Sequence, residues 1–284
     1  MYVYRFILIL IVSLFASGCA SIMSSATQDL ANNLSMAILN QNDPPTVRDG
    51  APSFLIMVDS FAQGSPENID LKRAASRLYG AYASAFVTDE ERRIRLAQKS
   101  FDYAHDALCE EIDTLCAAQD IQPELLRAHV EKLTLADLPI MYDFAAAWSG
   151  WVQANSGDWN ALAQIPKLKI LFERSIELDE THDRGGAHLY LGVLTSQIPP
   201  SLGGKPEVGR AHFEKALAIS KNQNKMVHVL FAQHYARLVF DQDLHDSLLQ
   251  QALQSDDEIP GLVLMNALAR ERAGKLLAES SDFF

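Results

Sequence analysis

The chain has 284 residues, 48% of them hydrophobic, with 36 acidic and 24 basic side chains and a formal net charge of −12. That length supplies ample chain for a sizeable core. The acidic balance argues against binding nucleic acid and against charge-driven adhesion to anionic lipid, because both need clustered Lys and Arg.

The first element is a leader. Arg5 precedes an apolar run over residues 6–15, which ends in Ala16-Ser17-Gly18-Cys19. A basic residue, about ten apolar residues and small residues before a cysteine form an export signal of the lipoprotein kind. The small residues let the peptidase bind extended backbone, and the Cys19 thiol accepts a diacylglyceryl group. Ala16 stands where leucine is usual. The alternatives are an ordinary cleaved signal or a membrane anchor, but the run is short for a span of about 20 residues. Removal of residues 1–18 leaves residues 19–284, read as a single helical domain behind a tether at 19–25. Loss of Arg5 makes that body one unit more acidic. More than one acyl chain on Cys19 would hold it on a membrane. Ala20, where an aspartate would favour retention at the inner membrane, points to the periplasmic face of the outer membrane.

Helical spacing dominates the rest of the chain, and period-2 strand patterns are scarce. Residues 24–40 are amphipathic through Leu30, Leu34 and Ile38, and Asp43-Pro44-Pro45 is expected to stop that helix. Residues 40–50 read as a loose turn, and 53–63 as a short helix. Ser65 and Pro66 read as the cap and first residue of a helix running on over 68–86. Thr88-Asp89-Glu90-Glu91 has the form of a capping box opening a helix over 92–108. Further helices are expected over 123–132, 138–155, 159–178, 187–197, 207–220, 226–240, 244–254 and 261–280. Short connections imply antiparallel neighbours.

The chain has three cysteines. Acylation of Cys19 leaves Cys109 and Cys116 as a pair. A bridge between them requires the helix to end in between, because seven helical residues rise about 10.5 Å and a disulfide wants Cα atoms within about 7 Å. The alternative is two buried thiols.

Three helix pairs share a pattern. The second helices carry Ala97…Phe101…Ala104, Leu168…Phe172…Ser175 and Gly209…Phe213…Ala216. The first helices carry Gly80, Gly150 and Gly192. The pattern resembles tetratricopeptide repeats, in which a small residue lets two helices close and an aromatic fills the gap of the next pair. The Phe spacings of 71 and 41 residues depart from a regular step of about 34. The expected fold is therefore all-α, with antiparallel helix pairs in a compact, degenerate tetratricopeptide-like domain.

Catalytic signatures are scarce. Gly203-Gly204-Lys205-Pro206 lacks the Ser or Thr and the upstream glycine of a phosphate loop. There is no G-x-S-x-G and no H-E-x-x-H. Histidine pairs 182/188 and 228/234 are off the spacing that shares a helix face. Asp179-Glu180-Thr181-His182-Asp183 reads as a solvated loop rather than a cation site, and Asp256-Asp257-Glu258 as a solvated turn. No enzyme activity, metal or cofactor is expected; a helical hydrolase or lyase would need a convergent acid–base pair. Residues 139–151 are nearly continuous apolar and aromatic material. Tyr142, Trp148 and Trp151 cannot share one narrow stripe. The helix is either buried on all sides or partly lines a groove for an apolar ligand or partner.

The signal with Cys19, the segment 138–151, the run from Ile198-Pro199-Pro200-Ser201-Leu202-Gly203-Gly204-Lys205-Pro206-Glu207 into Ala211-His212-Phe213-Glu214-Lys215-Ala216-Leu217, and the closing segment 262–277 with Asn266-Ala267-Leu268-Ala269 together resemble the T component of TRAP transporters, the TatT lipoproteins. The resemblance implies a helical periplasmic lipoprotein that associates with a TRAP solute-binding (P) protein. It implies a homotrimer with an apolar channel for hydrophobic ligands, anchored to the lipid membrane through Cys19. It does not extend to the Cys109 and Cys116 pair. A different reading of the same features is a general envelope scaffold that holds a peptide or assembly partner in tetratricopeptide-like grooves.

Overall fold

The computed structural model describes residues 36–197, 204–254 and 258–284. The signal, Cys19, most of the expected 24–40 helix, residues 198–203 and residues 255–257 lie outside the described residues. Among the described residues there is no strand, and the chain is all-α. No described helix is long and apolar enough to cross a membrane.

The helices are α1 (Pro44–Gly64), α2 (Ile69–Phe86), α3 (Glu90–Glu111), α4 (Pro123–Val130), α5 (Leu138–Ala154), α6 (Trp159–Leu162), α7 (Ile165–Asp179), α8 (Gly186–Thr195), α9 (Pro206–Ile219), α10 (Lys225–Phe231), α11 (Gln242–Leu253), α12 (Val263–Ala278) and α13 (Ser280–Phe283). Short 3-10 turns lie at Asp113–Leu115 and His182–Arg184, and a π turn at Ala232–Ala236 extends α10.

Several helix ends differ from expectation. Pro44 and Pro45 open α1 rather than merely stopping what precedes it. A first-turn residue has no use for its N–H, so proline fits there, and the expected loose turn at 40–50 is helical from Pro44. Ser65 ends α1, and Asn68 is the cap of α2, its Oδ1 accepting from Leu71 N at 3.0 Å. The cap of α3 is Asp89 rather than Thr88, with Oδ1 accepting from Arg92 N at 2.8 Å. A carboxylate one residue on does the same work with a full charge. The expected 159–178 helix is two, because Pro166 sits in the first turn of α7 and has no N–H to continue α6.

The paired helices pack as the repeat pattern implies, with one exception. A Cβ at Gly80 of α2 would come within 2.8 Å of Ser100 Oγ on α3, and one at Gly192 of α8 within 2.9 Å of the Phe213 ring on α9. Both glycines therefore mark close helix crossings. Gly150 does not, since a Cβ there would meet nothing within 4 Å.

Each repeat phenylalanine is buried and reaches into the next pair. Phe101 of α3 packs on Phe144 and Trp148 of α5, with centroids 5.6 and 6.3 Å apart. Phe172 of α7 stacks on Tyr190 of α8 at 4.6 Å and 7°. Phe213 of α9 stacks on Phe231 of α10 at 4.9 Å and 13°. The long 101-to-172 step is explained by the Asp113–Leu115 turn and α4, which are inserted between α3 and α5.

Polar ties close both ends. Asp59 of α1 accepts from the hydroxyls of Tyr79 on α2 and Tyr103 on α3, each at 2.7 Å, and from Lys99. At the other end buried Asn266 of α12 accepts from Lys225 N and donates to Gln223 O, both at 2.9 Å, satisfying the start of α10.

Phe213 is fully buried. Phe213→Ala should lower the unfolding free energy by about 3–5 kcal/mol in urea melts, the cost of a cavity left by a lost aromatic. Histidines give a second expectation. Burial pushes His228 down to about 4, helped by the Lys225 charge. Burial also pushes His234 down to about 4, helped by Arg272. The fold thus favours neutral imidazole, and the unfolded chain takes up protons first. Stability is fully present above the ordinary histidine value near 6.5 and drains as pH falls towards about 4. Urea melts across that window should show the loss, and His228→Leu should reduce it while leaving the part due to His234.

Candidate functional site

The first helices of the three repeat pairs, α2, α5 and α8, bring charged and phenolic side chains together. Sequence dictates the placement on α2: Arg73 and Arg77 stand four apart and share one face. On α5 a lone carboxylate, Asp143, interrupts an apolar run, and its side chain is only 7% exposed. A carboxylate so buried must be paired. Arg73 Nε donates to Asp143 Oδ2 at 2.7 Å. Arg77 grips the same group with two bonds, Nε to Oδ1 at 2.8 Å and Nη2 to Oδ2 at 2.7 Å. Three charge-assisted bonds from two guanidiniums leave the carboxylate saturated. Arg73 also lies 3.6 Å from Asp70, so the two cations and two anions balance, and Arg77 remains 59% exposed.

The neighbouring residue on α5, Tyr142, points to a different partner. Its hydroxyl donates to Asp183 Oδ2 at 2.7 Å. His182 packs edge-on to the same ring at 4.9 Å, and Phe172 and Tyr190 flank it at 6.0 and 6.2 Å. Burial first, then the Asp183 carboxylate, raises Tyr142 well above the usual phenol range. Tyr190 is raised by burial and by the charges of Asp183 and Asp143. Both phenols stay neutral donors.

The backbone that presents Asp183 is unusual. Asp183, Arg184 and Gly185 have φ of 48°, 56° and 81°, a run of left-handed residues. Arg184 Nη2 holds the turn by donating to Pro260 O at 2.9 Å. A Cβ on Gly186 would overlap the Tyr142 hydroxyl, so only glycine lets the ring reach Asp183.

The residues singled out from sequence are divided by the fold. Trp148 is fully buried and Tyr142 nearly so, while Trp151 is half-buried with its indole N–H donating to Gln98 Oε1 at 2.6 Å. Trp148 is therefore core and cannot line a surface. Cys109 and Cys116 are joined as a disulfide with Cα atoms 4.7 Å apart, α3 ending at Glu111 between them. In the 179–183 cluster the side chains diverge. Asp179 Oδ1 accepts from Thr181 N at 2.9 Å and Oγ1 at 2.7 Å, Glu180 pairs with Lys215 at 3.1 Å, and Asp183 is taken by Tyr142. They do not converge on one point as cation ligands must.

Sequence reasoning missed Arg73, Arg77 and Asp143. The available signal was the single acid in an otherwise apolar helix. As for chemistry, both acids of the cluster are committed, Asp143 to guanidinium and Asp183 to phenol, so neither is poised as a general base. The arrangement is a fixed set of donors and charges on the first helices, suited to binding.

Asp143→Ala should cost about 2–4 kcal/mol in urea melts, somewhat below a fully buried pair because Arg77 is solvated. Glu91→Ala, which removes an exposed partner of Arg95, should change stability by less than about 0.5 kcal/mol.

Residues 40–284 match the family described as the TRAP transporter T-component. No curated protein matches the chain.

Proposed function

Since this chain belongs to the TRAP transporter T-component family, which makes it an accessory of TRAP transport, we propose that it docks the system's solute-binding protein and does no chemistry of its own. The observation that carries this reading is the family match, which runs from residue 40 to the last residue, 284. The site supports it. The carboxylates of the cluster, Asp143 on α5 and Asp183 on the turn before α8, are already taken by guanidinium and phenol, so the cluster lacks the free acid–base pair a hydrolase needs.

The body acts from the periplasmic side as one helical domain, residues 19–284, tethered through acylated Cys19 at the outer membrane. The basis is the leader: Arg5, the apolar run at 6–15 and the small residues before Cys19. Three copies surround an apolar passage for hydrophobic ligands. The acidic charge of the chain fits a lipid anchor better than electrostatic adhesion.

Chemical cross-linking of the membrane-anchored protein to the solute-binding protein of the same transport system should trap a specific complex, and light scattering of the purified body should give a trimer mass. Labelled palmitate should enter the wild-type chain and not Cys19→Ala. Absence of any cross-link with both proteins folded would remove the docking proposal, whatever the result for the anchor.

A further inference from the structure

Three metal-ligating side chains outside the polar cluster meet at the end of α3. His105 and Cys109 stand four apart on that helix, and Cys116 comes just after the Asp113–Leu115 turn. One ligand atom from each lies within 4.8 Å of the others. Cys109 Sγ is 3.6 Å from His105 Nε2 and 3.8 Å from Nδ1, and Cys116 Sγ is 4.0 Å from Nε2.

The imidazole is already held. It stacks on Phe101 at 5.7 Å and leans on Phe144 at 6.1 Å. Its Nε2 lies 2.8 Å from the Cys116 carbonyl oxygen. Donation from Nε2–H to that carbonyl leaves the Nδ1 lone pair free, the arrangement that orients ligating histidines. Cys116 is exposed, whereas Cys109 and His105 are half-buried. Asp106, Glu111 and Asp113 flank the site in sequence and favour a cation.

We propose that the Cys109–Cys116 disulfide gates a binding site for a thiophilic metal ion of the zinc(II) class, with Cys109, Cys116 and His105 as ligands. A dithiol reductant opens the gate. One of its thiolates attacks the exposed Cys116 sulfur, the S–S bond breaks, and the Cys109 sulfur leaves and takes a proton. The second reductant thiol then displaces Cys116, so two electrons and two protons pass to the protein and the reductant leaves as its disulfide. On metal binding both thiols release their protons and become ligands. Zinc–sulfur bonds of about 2.3 Å in a tetrahedron place two sulfurs about 3.8 Å apart, a small separation from bonded positions. The fourth position faces solvent beside Cys116. Exchange with a disulfide oxidant, which takes the two electrons and leaves as its dithiol, re-forms the Cys109–Cys116 bond and expels the ion.

The test uses the full chain carrying Cys19→Ser, so that only Cys109 and Cys116 supply thiols. After reduction with a phosphine and anaerobic desalting, cobalt(II) is titrated as the spectroscopic probe and zinc(II) as competitor. One equivalent of cobalt should give a sulfur-to-metal charge-transfer band that zinc abolishes. The oxidised chain should give none. His105→Ala and His105→Gln should each weaken binding about tenfold or more, with helical circular dichroism retained. Cys116→Ser should lose much of the band. The proposal is overturned if the reduced chain shows no charge-transfer band, if reduction melts the helical signal, or if both His105 variants bind cobalt like the parent.

Discussion

The constraint on which the structure rests is the transfer of one aromatic ring from each repeat pair to the next. Phe101, Phe172 and Phe213 sit on second helices, yet their partners are Trp148, Tyr190 and Phe231 on the first helix of the next pair. A helix pair alone cannot bury such a ring on both faces. Stacked pairs can, so each pair is stabilised by its neighbour. Ring contacts also add about 0.5–1.5 kcal/mol beyond the area they bury. Close approach at Gly192 is part of the same device, because a larger residue there would strike the Phe213 ring that reaches onward to Phe231.

The polar cluster depends on that stacking. Tyr142 is positioned by Phe172 and Tyr190, the two rings of one relay step. Its neighbour Asp143 then faces α2, where Arg73 and Arg77 are one turn apart. Two adjacent α5 residues, about 100° apart around the helix, thus tie α5 to the pair before it and to the turn that starts the pair after it. A buried carboxylate bonded by two guanidiniums adds little net stability over a well-packed apolar contact. Its physical effect is to penalise any other register of α2 on α5, since a shift would leave Asp143 buried and unpaired.

Much of the fold is legible in the sequence because helical periodicity and punctuation are local. The helices over 123–132, 138–155, 207–220 and 244–254 fall within a few residues of α4, α5, α9 and α11. Caps are harder: Ser65 and Thr88 compete with Asn68 and Asp89 nearby, and only the backbone shows which side chain reaches an N–H. Pro44-Pro45 reads equally as a stop or a start until the partner face of Val47, Leu55 and Val58 is known. The repeat phenylalanines are legible as a set, whereas Gly150 groups with Gly80 and Gly192 by position alone and does not share their role. The site is largely hidden. Arg73, Arg77, Asp143 and Asp183 come from three distant segments, and no short motif links them. Composition can signal that Asp143 needs a partner but not which one.

The left-handed run at Asp183, Arg184 and Gly185 ties this cluster to the far end of the chain. Non-glycine residues in that conformation cost about 1–3 kcal/mol each, so the turn persists only because its surroundings hold it. Tyr142 fixes Asp183, the Pro260 carbonyl fixes the Arg184 guanidinium, and the Ile219 side chain closes over Gly185, 3.2 Å from where a Cβ would be. The carbonyl that holds Arg184 belongs to the segment leading into α12, whose Asn266 in turn satisfies the start of α10. The turn is thus held from two sides, by the Tyr142 phenol on α5 and by the carbonyl of the segment before α12, and neither contact alone accounts for its persistence.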